Sequence, residues 1–212
     1  MKSDVITITN LNKYYGSHQA VSNLNLSVHQ GEIFGFLGAN GAGKSTVIRC
    51  ILGLVSKTSG DIVLLGGAYS SLTEALAHIG YLPSEAHFYP DMKVRDVIRL
   101  AAKARKIDCQ TEADRICEFL EVPLDKKIKD LSLGNRKKVS IVCALQHKPR
   151  LLLLDEPTSG LDPLMQERFF TLIKEVCLNG ATCFLSSHNL SEVKNYCDRA
   201  AIIKEGKLLV VD

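Results

Sequence analysis

A glycine-rich stretch between a predicted strand and a predicted helix constrains the fold of this chain more than any other feature. Residues 38–45 have the pattern G-x-x-x-x-G-K-S. The apolar segment 32–37 before them is typical of a buried strand, and residues 47–54 carry apolar side chains at helical spacing. A loop in this strand–loop–helix context binds phosphate, so the chain is expected to contain a phosphate-binding α/β domain.

Each part of this loop has a physical role in holding a nucleotide phosphate. Glycines let backbone N–H groups converge on phosphate oxygens, and the start of the following helix favours anions. Lys44 is predicted to neutralise the β- and γ-phosphates, and the Ser45 hydroxyl to bind Mg²⁺. A merely flexible glycine turn is the alternative, and the flanking strand and helix argue against it. The predicted nucleotide-binding residues of the loop are Gly38, Ala39, Asn40, Gly41, Ala42, Gly43, Lys44, Ser45 and Thr46.

Two acidic residues end a second apolar run. Residues 151–154 are four leucines, which is typical of a buried parallel strand, and Asp155 and Glu156 follow directly. Parallel sheets bind ligands at the carboxyl ends of their strands. Asp155 is therefore predicted to hold Mg²⁺, directly or through water, and Glu156 to polarise an attacking water. The alternative is a strand that simply ends in solvated acids.

The remaining patterns predict how the chain is organised around these motifs. The alternation of residues 5, 7 and 9 predicts a first strand, and further strand patterns follow in the β-rich part that opens the chain. Three amphipathic helical patterns then follow, at 94–105, 111–120 and 136–146. Strands and helices alternate after that, which implies a parallel sheet. The predicted fold class is α/β: one domain, 1–212, with a mostly parallel sheet around the phosphate-binding loop, a β-rich N-terminal part and a helical lobe inserted at roughly 85–147.

Composition and charge exclude several other classes. The chain is 46% apolar and 23% charged, as folded globular proteins are. Its net charge of +3 is too weak to indicate a nucleic-acid partner. The seven cysteines include no C-x-x-C pair, so neither a zinc site nor a disulfide framework is expected. No apolar run is long enough to cross a membrane, so work at a membrane is expected to require another chain.

Three further motifs give the chain a family resemblance. Residues 131–135 read Leu-Ser-Leu-Gly-Asn before a basic helix start, residues 159–162 read Ser-Gly-Leu-Asp after the acidic pair, and Ser187-His188 follow a strand. Together with the loop and the acids, this order resembles the nucleotide-binding domains of ATP-binding cassette (ABC) transporters. The resemblance extends from about residue 5 to residue 211. It implies an α/β fold with a P-loop NTPase core, a mostly parallel sheet, an N-terminal antiparallel β subdomain and an inserted helical lobe.

The resemblance implies contacts to ATP from outside the loop. Tyr15 matches the aromatic residue that stacks on adenine, with Tyr14 as a rival, and a surface aromatic is the alternative for either. Ser132 and Gly134 match signature residues that contact the γ-phosphate of ATP held by the opposite subunit. The alternative for Ser132 is an ordinary helix cap.

The resemblance also implies the catalytic residues. Asp162 matches the acid that communicates between two ATP sites. His188 matches a histidine that contacts the γ-phosphate and steadies Glu156. The predicted catalytic residues are then Glu156, His188 and Lys44, and the predicted cofactors are ATP and Mg²⁺.

Two departures from the family pattern bear on the metal site and the signature. Ser84, followed by Glu85, stands where the family has a glutamine after a Tyr-x-Pro strand end. Both residues are predicted at the metal site, with altered sensing of the metal. Leu133 and Asn135 replace the usual glycine and glutamine of the signature, so that part of the phosphate contact is expected to differ from the family's. The combined pattern resembles a bacterial branch of ABC-2-type exporters.

The resemblance implies an ATPase subunit that powers a separate membrane permease, as an exporter. It would act as a head-to-tail dimer with a second copy or a close relative, in the cytoplasm at the inner face of the membrane. A soluble ABC ATPase acting on nucleic acid or ribosomes is one alternative, which the short Lys44–Ser132 separation and the single domain disfavour. A non-hydrolysing ATP switch is another, which Glu156 and His188 disfavour.

Overall fold

Two β-sheets organise the chain in the computed structural model, which describes residues 3–211. The first sheet is antiparallel and contains β1 (Asp4–Tyr15), β2 (His18–His29) and β4 (Ser59–Leu64), with β1 in the middle. The second contains β3 (Ile33–Leu37), β5 (Ile79–Leu82), β6 (Leu151–Asp155), β7 (Thr182–Ser187), β8 (Arg199–Lys204) and β9 (Lys207–Val211). Its order is β5-β6-β7-β3-β8-β9, parallel except between β8 and β9. The predicted α/β class, with an antiparallel N-terminal sheet, is confirmed.

Seven α-helices accompany the sheets in residues 3–211. They are α1 (Lys44–Ile51), α2 (Leu72–Ala77), α3 (Val94–Arg105), α4 (Gln110–Phe119), α5 (Leu133–Leu145), α6 (Pro163–Leu178) and α7 (Leu190–Tyr196). The three helices predicted between 94 and 146 are α3, α4 and α5, which share one apolar cluster. Helix α5 begins three residues before the predicted start, because Ser132 caps it and draws the signature into its first turn. No helix in the described range is long and apolar enough to cross a bilayer.

The first strand extends well past the residues that alternation predicts. Strand β1 continues from residue 9 to Tyr15, and its pairing with β2 shifts register between Ile8 and Leu11. Asn10 lies at this irregularity with φ of 49°. A bulge of this kind breaks the two-residue period while the strand continues, so the pattern ends before the strand does.

Two elements were not predicted at all. Helix α2 is too short to show helical periodicity, although Ser71 caps it by accepting a hydrogen bond from the Glu74 N–H. Strand β9 returns antiparallel to β8 through Glu205 and Gly206, which have φ of 48° and 74°. Two consecutive positive φ angles suit a tight hairpin turn, so the glycine was an available signal.

Strand β6 is buried on both faces and separates the two apolar clusters of the molecule. Leu151 and Leu153 pack into the cluster shared with α1 and the antiparallel sheet. Leu152 and Leu154 pack into the cluster shared with α3 to α6. Burial of each leucine side chain contributes about 2 kcal/mol. The continuous apolar run thus fixes β6 in the centre and leaves its carboxyl end to deliver the acidic pair.

Parallel register brings three loops to one edge of the second sheet. Leu37 of β3 lies opposite Ser187 of β7, and Asp155 of β6 lies opposite Ser186. The glycine-rich loop, the acidic pair and the segment that holds His188 therefore begin side by side. This is the edge at which sheets of this class bind ligands.

Candidate active site

The glycine-rich loop leads directly into α1, whose first residue is Lys44. Gly43 caps this helix with φ of 109°, a conformation that residues with a Cβ rarely adopt. A Cβ at Gly43 would also lie only 2.8 Å from the Ala20 carbonyl oxygen. The first turn of α1 contains no acidic side chain, so its unpaired backbone N–H groups keep the positive field that favours a phosphate.

Lys44 lies inside the loop that it follows. Its side chain is 6% exposed, and Nζ donates to the Gly38 carbonyl at 2.6 Å and to the Ala39 carbonyl at 3.2 Å. Nζ also lies 3.1 Å from Glu156 Oε1. The structure thus brings two predicted catalytic residues together as an ion pair.

Glu156 is held from both sides in an unusual backbone conformation. Its φ is 47°, in the left-handed region that non-glycine residues seldom occupy. Its N–H donates to both the carbonyl and the hydroxyl of Ser186 at 3.2 Å. His188 Nδ1 lies 2.7 Å from Glu156 Oε2 and donates to it when that nitrogen bears the proton. The carboxylate therefore lies between Lys44 and His188.

One carboxylate oxygen of Asp155 is buried without a hydrogen bond from residues 3–211. The residue is 1% exposed, and Oδ1 accepts a 2.6 Å hydrogen bond from Ser186 Oγ. Oδ2 is buried and has no hydrogen-bond partner within residues 3–211. Such a group costs about 1–3 kcal/mol when it is left unsatisfied. Mg²⁺ or its bound water fits this oxygen, because Mg²⁺ is usually held by one or two carboxylates together with substrate phosphates.

The side chains of Ser84, which stands in place of the family's glutamine, and of Glu85 make no polar contact with the Asp155 carboxylate among residues 3–211. Glu85 is exposed, and Ser84 takes part through its backbone carbonyl. Within the described range, neither side chain makes a hydrogen bond or ion pair with Asp155 or Glu156. Their role at the metal remains a prediction.

The signature residues lie at the start of α5 and combine two roles. Ser132 is exposed and caps the helix, with Oγ accepting from the Asn135 N–H at 3.3 Å. Its hydroxyl proton stays free to donate, so the cap and a phosphate contact are compatible. A Cβ on Gly134 would lie 2.9 Å from the Gly160 carbonyl oxygen, so a contact within the chain already demands a glycine. Leu133 is exposed and packs against Gly160.

Two other residues implied by the resemblance have structural roles as well. Asp162 caps α6 and accepts from the Met165 N–H at 2.9 Å, while Pro163 occupies the first turn. Tyr15 ends β1, is 45% exposed, and has the Lys13 ammonium 4.6 Å from its ring centre. The exposed ring leaves adenine stacking as a prediction.

Sequence reasoning missed three residues that tie the site together. Ser186 bonds both acidic residues, and its signal was a polar residue at the carboxyl end of an apolar strand, directly before Ser187-His188. Glu192 of α7 is buried and accepts 2.7 Å hydrogen bonds from Thr158 Oγ1 and Ser187 Oγ. Nothing in the sequence indicates that this glutamate is buried.

Lys137 of α5 is the third residue that the sequence did not indicate. It is 5% exposed, and Nζ donates to the carbonyls of Ser84 at 2.7 Å, Glu156 at 3.3 Å and Pro83 at 3.4 Å. Burial lowers the pKa of Lys137, and the carboxylates of Asp155 and Glu156 oppose part of that shift. The basic run 136–138 would ordinarily indicate a solvated helix face.

Two models of known protein families match parts of this chain. A family model described as ABC transporter matches residues 21–159, which include the glycine-rich loop and the acidic pair. A second model, described as AAA domain, putative AbiEii toxin, Type IV TA system, matches residues 125–194.

Individual relatives are similar over nearly the whole chain. The bacitracin transport ATP-binding protein BcrA of Bacillus licheniformis is 41% identical over 98% of this chain and 69% of its own length. The lantibiotic transport ATP-binding protein SrtF of Streptococcus pyogenes is 34% identical over 97% of this chain and 90% of its own. A solved structure of an ATP-binding subunit of an ABC transporter is 29% identical, with a TM-score of 0.88 over 98% of this chain and 89% of that one.

Proposed function

This chain belongs to the ABC transporter family and is an ATPase, and we propose that it hydrolyses ATP to power a separate membrane permease. The single observation that carries the catalytic assignment is the ion-paired Glu156. Its carboxylate lies 3.1 Å from the loop lysine Lys44 and 2.7 Å from His188. At the same sheet edge, the buried Asp155 Oδ2 has no hydrogen-bond partner among residues 3–211. These groups supply charge for a nucleotide phosphate and a base for water at one place.

The proposed role of each residue in hydrolysis is supported by its position in this arrangement. The loop N–H groups and Lys44 bind the phosphates, so Lys44 exchanges Glu156 for a phosphate oxygen. The freed Glu156 carboxylate orients water in line with the γ-phosphorus and accepts a proton, while His188 keeps the carboxylate in place. Ser45 and Asp155 would hold Mg²⁺, which supplies charge neutralisation at the β- and γ-phosphates.

The proposed assembly is a head-to-tail dimer of ATPase subunits attached to a permease at the cytoplasmic face of the membrane. Ser132 supports the dimer, because it is exposed and its hydroxyl proton is free to meet a phosphate bound by another copy. The names of BcrA and SrtF refer to transport of bacitracin and of lantibiotics. Antibiotic peptides are therefore the first substrate class to test. Export is the proposed direction, because the sequence pattern resembles the ABC-2-type exporter branch.

Replacement of Glu156 by Gln tests the catalytic assignment. The change keeps the size of the side chain and removes its charge, so ATP turnover should fall at least a hundredfold, while ATP binding persists and light scattering shows an ATP-dependent dimer. Glu118→Gln, the same change at an exposed residue of α4, should leave turnover at the wild-type rate. Wild-type turnover by Glu156→Gln would show that another group activates the water.

A further inference from the structure

We infer that Lys137 is a positioning residue for hydrolysis, which holds the backbone of Glu156 and segment 83–84 to one another through a single buried ammonium group. The inference rests on the proposed function, since it concerns how the residue that activates water is held. Among the described residues, the polar contacts of Lys137 are three backbone carbonyls. We therefore assign it no direct contact with water or phosphate.

The three carbonyls match the bonding capacity of the ammonium group. A protonated lysine has three N–H donors and no acceptor. Its three acceptors are the oxygens of Ser84, Glu156 and Pro83, and no carboxylate lies within ion-pair distance of Nζ in residues 3–211. A buried cation is costly unless it is fully hydrogen-bonded, so this arrangement favours one fixed geometry for all three carbonyls.

The contact with Glu156 acts where its backbone is under strain. Glu156 has φ of 47°, a conformation that persists only when its surroundings hold it. Ser186 of β7 accepts from its N–H, and Lys137 of α5 donates to its carbonyl. The peptide groups on both sides of the Glu156 Cα are therefore anchored, which fixes the direction in which its carboxylate points.

The other two carbonyls extend this hold to a separate part of the chain. Pro83 and Ser84 directly follow β5 and precede the exposed Glu85. Because one Nζ bonds both segments, a displacement of 83–84 would change the hydrogen bond at Glu156. Lys137 thus makes the catalytic geometry sensitive to the position of this surface segment.

The test compares Lys137→Met with wild type in the purified full chain. Methionine fills a similar volume without donors, so kcat should fall at least tenfold while the Kd for ATP stays within threefold. Lys137→Arg, which keeps the charge and the donors, should recover part of the loss. Lys138→Met is the matched control on the same helix, since Lys138 has no hydrogen bond or ion pair in residues 3–211, and its kcat should stay within twofold of wild type.

Each outcome decides the inference. A fall in kcat of less than tenfold for Lys137→Met, or an equal loss of ATP affinity, overturns it. If Lys137→Met does not fold, Lys137→Gln replaces it, because the amide keeps two donors, and the same separation of kcat from Kd is required. Glu156→Gln is measured in parallel. If that variant is inactive and Lys137→Met is fully active, only the role of Lys137 fails; if Glu156→Gln is active, the proposed catalytic assignment fails, and this inference with it.

Discussion

Removal of the Glu192 carboxylate should weaken both the fold and hydrolysis. Glu192 is 8% exposed, and its carboxylate joins two segments: the loop after β6, through Thr158, and the end of β7, through Ser187, which directly precedes His188. Hydrogen bonds to a charged group contribute about 1.5–3 kcal/mol each. Glu192→Ala removes two of them but also relieves the cost of burying a charge, so a loss of about 3 kcal/mol in unfolding free energy is expected.

Chemical denaturation and steady-state kinetics of the same variant test this expectation. A loss of about 3 kcal/mol corresponds to a fall of roughly 6–12 °C in Tm for a domain of this size. Because the two segments that Glu192 joins carry the predicted catalytic residues Glu156 and His188, kcat should fall by a larger factor than the affinity for ATP. A double-mutant cycle with Thr158→Val should give a coupling of about 1–2 kcal/mol, since the two residues share a hydrogen bond.

The control for this prediction is Glu118→Ala, which removes an exposed carboxylate from α4 and should change stability by less than about 0.5 kcal/mol. A destabilisation below about 1 kcal/mol for Glu192→Ala, or a coupling near zero with Thr158, would refute the reasoning. Either result would mean that the Thr158 loop and the end of β7 keep their positions without the Glu192 carboxylate.

Two further predictions concern stability. Burial, reinforced by the charge of Arg105, lowers the pKa of His147 from 6.5 to about 4. Between pH 4 and pH 6.5, His147 is therefore protonated in the unfolded chain and neutral in the folded chain. Stability should therefore fall by up to about 3 kcal/mol as pH drops from 6.5 to 4, and urea denaturation should show less of this slope in His147→Gln. Gly134→Ala should cost about 1–3 kcal/mol, because the new Cβ meets the Gly160 carbonyl at 2.9 Å; unchanged stability would show that α5 shifts freely.

The sequence was sufficient for the parts of the site that are local in the chain. The loop 38–45 and the acids after residue 154 are contiguous motifs beside strongly apolar strands, and parallel register then brings them to one edge. The sequence pattern could not predict where β1 ends, because the irregularity at Asn10 breaks the alternation while the strand continues. The family membership, the α/β fold and the ATPase activity predicted here are confirmed, whereas the individual site roles stay predictions.

Long-range contacts account for what the sequence could not predict. Lys137 lies 53 positions from Ser84 and 19 from Glu156, and it belongs to a basic run that resembles a solvated face. Glu192 reaches Thr158 across 34 positions. Only the packing of α5 and α7 against the sheet edge buries these charges, so their functions depend on the tertiary structure and on no local pattern.

The placement of these two buried charges suggests a common physical purpose. Lys137 bonds the carbonyl of Glu156, and Glu192 bonds the hydroxyl of Thr158, so opposite charges anchor the same short loop two residues apart. Apolar side chains would fill these positions at lower cost, because buried charges lose their hydration. Apolar contacts, however, lack direction, whereas hydrogen bonds to carbonyl and hydroxyl oxygens fix orientation. A loop that must present the Glu156 carboxylate to water at a defined angle, in a strained backbone conformation, requires directional anchors on both sides.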